Sequence, residues 1–98
     1  MFDIRYGDGG EIVLDGRLDA SQTAKAKAFL EDVTESHIVD CTNLEYISSA
    51  GLGVLLMTQK KLQGSSGGLN LINVNNHIHD VFHYSGLDRV FKIERSDG

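Results

Sequence analysis

The sequence predicts an α/β fold: a mixed, mostly parallel sheet, an N-terminal β-hairpin and three main helices. Two observations carry this. The hydrophobic period switches between two and 3.6 along the chain, giving the order β-β-α-β-α-β-α-β. Glycine-rich breaks at Gly7–Gly10 and Gly64–Gly68 and a lone Gly86 punctuate those periods, and no proline interrupts them. With 98 residues there is room for one domain, spanning 1–98.

Phe2-Asp3-Ile4-Arg5-Tyr6 and Glu11-Ile12-Val13-Leu14 alternate apolar and polar around the first break, the pattern of a hairpin. Asp19 can cap a helix over Ala20 to Thr34, with Gln22 in the capping-box position. There Ala26, Phe29, Leu30 and Val33 form one apolar stripe. His37-Ile38-Val39-Asp40-Cys41 reads as a short buried strand. Leu44-Glu45-Tyr46-Ile47 bridges it to a second helix near Ser49 to Gln63, whose core stripe is Leu52, Leu55, Leu56 and Leu62. Leu69 to Val74 returns to alternation, with Leu69, Leu71 and Asn73 to one side. Asn76 opens a third helix carrying Ile78, Val81 and Phe82, closed by Gly86 at C′. Val90 to Ile93 is the last strand, and Ser96-Asp97-Gly98 is expected to fray.

Composition narrows the function. Hydrophobic residues make up 41% and charged residues 23%, a globular balance, and the formal charge is −5. Lys and Arg are scattered, so no basic stripe offers itself to a nucleic acid. The single cysteine, Cys41, cannot close an internal disulfide, which fits a reducing compartment. No signal-type segment and no apolar stretch long enough for a bilayer is read, so the expectation is a cytoplasmic protein that does not bind membranes.

The most unusual local chemistry lies at Ser48-Ser49-Ala50-Gly51-Leu52-Gly53, where a loop turns into a helix. A glycine inside a helix costs about 1 kcal/mol relative to alanine. Two in the first turns suggest close approach to the backbone, by a neighbouring strand or by a partner. The helix N-terminus supplies unpaired N–H groups and the positive end of the dipole, where a phosphate on a hydroxyl is tolerated. Ser48 is a plausible N-cap.

Enzyme patterns fit poorly. A nucleophile elbow on Ser49 needs glycine two residues before and after; Gly51 supplies one, but Ile47 fills the other. Gly51-Leu52-Gly53 lacks the third dinucleotide-binding glycine, since position 56 is Leu56, and there is no P-loop lysine pair. His79 and His83 share a helix face near His77, without placed carboxylate or thiolate ligands. They read as exposed histidines, and Cys41 as a packed residue. The expectation is a non-enzyme without metal or cofactor.

Asp40 to Leu55 resembles the motif of the STAS domain family, the sulphate transporter and anti-sigma factor antagonist domains, whose usual form ends Asp-Ser-Ser-Gly-Leu-Gly. Gly16-Arg17-Leu18-Asp19 is similar to the family's Gly-x-Leu-Asp, and Val81 to Phe91 to its third helix and following turn. The resemblance implies a stand-alone anti-sigma factor antagonist. Unphosphorylated, it would bind an anti-sigma factor that is itself a serine kinase, freeing the sigma factor. Phosphorylation would end that capture and a serine phosphatase would restore it. The family's acceptor falls on Ser49, with Ser48 as the alternative. Partner contact would involve Asp19, Ser48, Ser49, Ala50, Gly51 and Leu52. A scaffold role in a larger signalling assembly, without a directly controlled sigma factor, is the other function that the resemblance allows.

Overall fold

The computed structural model describes residues 1–96; the fraying expected at Asp97 and Gly98 lies outside them. The elements are β1 (Phe2–Tyr6), β2 (Ile12–Leu18), a 3-10 turn (Ala20–Gln22), α1 (Thr23–Glu31), β3 (His37–Ile47), α2 (Ser49–Gln63), β4 (Leu69–Val74), α3 (Asn76–Tyr84), a second 3-10 turn (Leu87–Arg89) and β5 (Lys92–Arg95). The sheet order is β1-β2-β3-β4-β5. β1 and β2 run antiparallel and every other pair is parallel.

Alternation along the strands separates two faces. Phe2, Ile4, Ile12, Leu14, Leu18, Val39, Cys41, Leu69 and Leu71 are buried in one cluster with Ala26, Leu30, Leu55, Leu62, Ile78 and Phe82 of the helices. The alternate residues, among them Asp3, Arg5, Val13, Asp15, Ile38, Asp40 and Asn70, stay partly or fully exposed. All three helices therefore cover one face of the sheet, and the other is open. Because strand order follows chain order, there is no point where consecutive crossovers diverge, the place where open α/β sheets form ligand crevices.

The hairpin, the three helices and the Gly86 closure stand as the sequence implies, with Gly86 at φ +77°. Several details differ. The first helix begins later: Asp19 caps the 3-10 turn through Ser21 N–H, Gln22 makes no side-chain cap to α1, and α1 ends at Glu31. The separate strand and bridge of the sequence reading are one eleven-residue strand, because β3 keeps pairing with β2 up to Leu18–Ile47 across two register shifts. One shift lies at Gly16, where φ is +94° and a Cβ would stand 2.1 Å from the Met1 carbonyl oxygen. That carbonyl accepts from Arg17 N–H at 2.9 Å.

In α2 the half-buried Leu56 is displaced from the expected stripe by Val54, Thr58 and Gln59, all buried. Gln59 is inside because both ends of its amide are used: Oε1 accepts from Leu69 N–H at 2.7 Å, and Nε2 donates to the Val90 carbonyl at 2.9 Å. In β4, Asn73 takes a left-handed φ of +57°, which breaks the alternation. Asn73 thus points outward, and Val74 joins Leu69 and Leu71 in the core. The last strand lies two residues later than expected; Phe91 precedes it, packed edge-on against Phe82 at 5.5 Å. No described helix is long and apolar enough to cross a membrane.

Candidate functional site

β3 ends at Ile47 and α2 begins at Ser49, so Ser48 alone makes the turn. Its extended backbone (φ −86°, ψ 170°) lets its Oγ accept from Gly51 N–H at 3.1 Å, an N-cap in the usual geometry. Its own N–H donates to the Leu18 carbonyl at 2.9 Å, and its carbonyl accepts from Leu52 N–H at 2.9 Å. The N–H, the carbonyl and the Oγ of Ser48 are thus each engaged by the fold. Ser49, the first helical residue, and Ala50 after it are exposed at the positive end of the helix.

Leu18 leads directly to Asp19, so its bond to Ser48 sets the two segments side by side. The Asp19 carboxylate accepts from the Ser21 hydroxyl at 2.6 Å and from Ser21 N–H at 3.1 Å. The Ser21 hydroxyl holds the Asp19 carboxyl below its ordinary pKa, against an opposing effect of desolvation. The site therefore has a fixed negative charge on one side and a free hydroxyl on the other.

The remaining members of the expected contact set face inward. Leu52 is 7% exposed and belongs to the core. Gly51 is buried: a Cβ there would lie 2.8 Å from Leu18 Cγ, 2.9 Å from the Leu18 carbonyl and 3.0 Å from Ile47 Cγ1. This glycine serves the packing of α2 on β2 and β3. Gly53 differs, because a Cβ there would meet nothing within 4 Å. The fold itself gives no reason for the absent side chain.

Residues to which the sequence assigns no role frame the junction. Arg17 lies over the Tyr46 ring at 4.5 Å. Asn75 caps α3 by accepting from Ile78 N–H at 2.9 Å, and its Nδ2 donates to the Leu44 carbonyl at 3.3 Å, tying the start of α3 to β3. The caps of α2 and α3 thus emerge at the same end of the sheet. Asn75 carries a cap signal in the sequence, but its second bond depends on a β3 longer than expected.

The other candidates resolve simply. Burial, followed by the nearby Asp40 charge, pushes the Cys41 thiol up to about 12, so it is not a nucleophile at neutral pH. His77 and His83 are exposed as expected, and His83 Nδ1 hydrogen-bonds Asp88 at 2.8 Å. His79 departs from expectation, its side chain 22% exposed with a buried Nδ1. No group of three metal-ligating side chains occurs among the described residues.

The profile described as "Mlab, STAS domain" matches residues 5–94. The chain belongs to the STAS domain family. The anti-sigma-B factor antagonist of Listeria monocytogenes is 30% identical over 98 residues, covering 96% of this chain and 86% of that one. BtrV of Bordetella bronchiseptica is 39% identical over 59 residues, which is 60% of this chain and about half (51%) of that protein. Among solved structures, the anti-sigma factor antagonist SpoIIAA in its unphosphorylated form superposes with a TM-score of 0.73 at 23% identity, over 95% of this chain and 87% of that one. Its phosphorylated form superposes at 0.68 with 21% identity, over 95% and 90%. These structures share the STAS fold with this chain.

Proposed function

We propose that residues 1–98 act as one cytoplasmic STAS domain with the function of an anti-sigma factor antagonist. The unmodified domain captures an anti-sigma factor that is a serine kinase, and so releases a sigma factor. Phosphorylation of Ser49 by that kinase ends the capture, and a serine phosphatase restores it. The domain does no chemistry of its own.

One observation carries the reading. Of the two adjacent serines, Ser48 is used by the fold as cap and strand partner, while Ser49 stands exposed at the helix N-terminus. A kinase can reach Ser49 without undoing the cap. The name of the Listeria relative supports the antagonist role, and SpoIIAA offers an example of the fold in a phosphorylated form. A surface contact also suits a sheet without a ligand crevice.

The test immobilises the chain, recovers its bound partner and identifies it by mass spectrometry. Recovery of a kinase-like anti-sigma factor supports the reading, and recovery of a large homotypic STAS assembly favours the scaffold role instead. Incubation with that kinase and ATP, followed by site-localising mass spectrometry, should place phosphate on Ser49. Phosphate mainly on Ser48 or Ser21 overturns the assignment.

A further inference from the structure

Charge is unevenly placed in this chain. It is −5 overall, yet α2 has two lysines and no acidic residue, and α1 has two lysines and one glutamate, so four positive charges less one negative leave the pair at +3. Two of these lysines are engaged. Lys25 Nζ donates to the Phe2 carbonyl at 2.9 Å and lies 3.6 Å from Asp3. Lys61 Nζ donates to the carbonyls of Leu30 and Glu31 at 3.0 and 3.2 Å. Among the described residues, Lys27 and Lys60 enter no ion pair.

Between α1 and α2 a cleft of about 140 Å³ opens, with Leu30, Val54 and Met57 as its apolar lining and Thr58, Lys27, Lys61 and the single carboxylate of Glu31 as its polar lining. Met57 is 59% exposed, one of the few large apolar side chains left in solvent. Ser49, Gly53 and Met57 follow one another at i, i+4 and i+8, so they share a helix face. Between the serine and the cleft, the row of i, i+4 and i+8 passes through Gly53, where the space is open, with the half-buried Leu56 beside it.

We propose that the docking surface runs from Ser49 over Gly53 into the α1–α2 cleft, and that the cleft takes an apolar side chain from an acidic segment of the anti-sigma factor. This rests on the antagonist reading given above and names the partner chemistry that it requires. Charge complementarity selects the occupant. A basic segment meets Lys27 and Lys60 unfavourably. A second copy using the same face sets lysines against lysines, as a two-fold contact must. Backbone approach over Gly53 brings the partner past Ser49, which lies about 12 Å from Met57 at about 1.5 Å of rise per residue. That is about one and a half Debye lengths at physiological salt, where the length is about 8 Å. A phosphate on Ser49 therefore acts chiefly on the part of the partner that passes Gly53, and only through a largely screened repulsion on the acidic segment in the cleft.

The experiment titrates the anti-sigma factor recovered above against the unmodified chain, Met57→Asp, the double variant Lys27→Glu/Lys60→Glu, and Ile38→Asp on the open sheet face as control. Met57→Asp and the double lysine variant should each weaken binding about tenfold or more relative to the unmodified chain, the double variant should also flatten its salt dependence, and the Ile38→Asp control should leave binding unchanged. A photo-crosslinker at position 57 should capture an acidic peptide of the anti-sigma factor. All substituted positions are exposed; if Met57→Asp fails to fold by its thermal melt, the lysine variant decides. Affinity unchanged by both variants, or a crosslink to a second copy or to a basic segment, overturns the proposal. If phosphorylated Ser49 still abolishes binding in that case, the antagonist reading stands and only this extension falls. If no anti-sigma factor binds the unmodified chain, both fall.

Discussion

The N–H of Ser48 donates to the carbonyl of Leu18 at 2.9 Å, and this bond joins the end of β2 to the start of α2. Its length leaves no room for a side chain at Gly51, whose missing Cβ would sit 2.9 Å from the same carbonyl. Gly51→Ala should therefore destabilise the domain by about 1–3 kcal/mol, the cost of overpacking, reduced by about 1 kcal/mol of helix propensity. Gly53→Ala meets nothing within 4 Å and should stabilise it by up to about 1 kcal/mol. Urea unfolding of both variants separates them. Equal effects in the same direction would contradict the two roles.

The two serines should also part in stability. Ser48→Ala removes the Oγ that accepts from Gly51 N–H and should cost about 1 kcal/mol, lowering Tm by about 4–8 °C in a domain of this size. Ser49→Ala touches an exposed hydroxyl and should stay within about 0.5 kcal/mol of the parent. Thermal melts at one pH and salt concentration read both. A Ser49→Ala loss as large as that of Ser48→Ala would assign the cap wrongly.

Acid stability should register Asp40. Partial burial raises its pKa, but hydrogen bonds from the Thr42 hydroxyl and N–H and from Asn73 Nδ2 more than offset that and leave it below the ordinary value. The folded-state pKa is thus lower than the unfolded one. Its contribution is complete above the unfolded value, about 3.9, and is lost as pH falls through the folded value. Asp40→Asn should lower stability at pH 7, by no more than about 1 kcal/mol in so solvated a site, and the difference from the parent should shrink below about pH 4. A pH-independent difference would remove the carboxylate from the account.

How much of this was legible in the sequence depended on the range of the interaction. Element order and the Ser48 cap follow from local periodicity and cap chemistry, and both stand. The length of β3 did not follow, because residues 42–47 pair with β2 through register shifts that no local pattern encodes. Asn73 inverted the end of β4 for a related reason: its left-handed backbone is held in a tertiary setting, with its amide on Asp40. Gln59 lies outside the core stripe expected for α2, yet it is buried because Leu69 and Val90 supply partners from distant segments. In the candidate site, Gly51 and Gly53 read as equals. Only the position of Leu18 shows that one serves the fold and the other leaves space open.

A phosphate on Ser49 should switch binding at the interface and leave the fold intact. It adds about −1.5 to −2 charge to a chain already at −5. At the N-terminus of α2, which carries no acidic residue in its first turn, that charge gains about 0.3–1 kcal/mol from the helix dipole. Ser48 keeps the cap, so the fold loses nothing. In a docked complex the same dianion must shed water beside the Asp19 carboxylate, and a buried charge without a partner costs several kcal/mol. A loss of about 4 kcal/mol weakens affinity roughly a thousandfold, so the interface effect far exceeds the local gain. Ser49→Ala should bind the anti-sigma factor constitutively. Ser49→Asp should bind more weakly than the parent but better than the phosphoprotein, because it carries one charge instead of nearly two. Melts of all these forms should lie within a few degrees of one another, since about 1 kcal/mol moves Tm by 4–8 °C at this size. Calorimetric titration against the anti-sigma factor and parallel thermal melts decide the mechanism. A phosphoprotein that keeps full affinity, or one that melts far below the unmodified domain, would refute a switch acting at the interface.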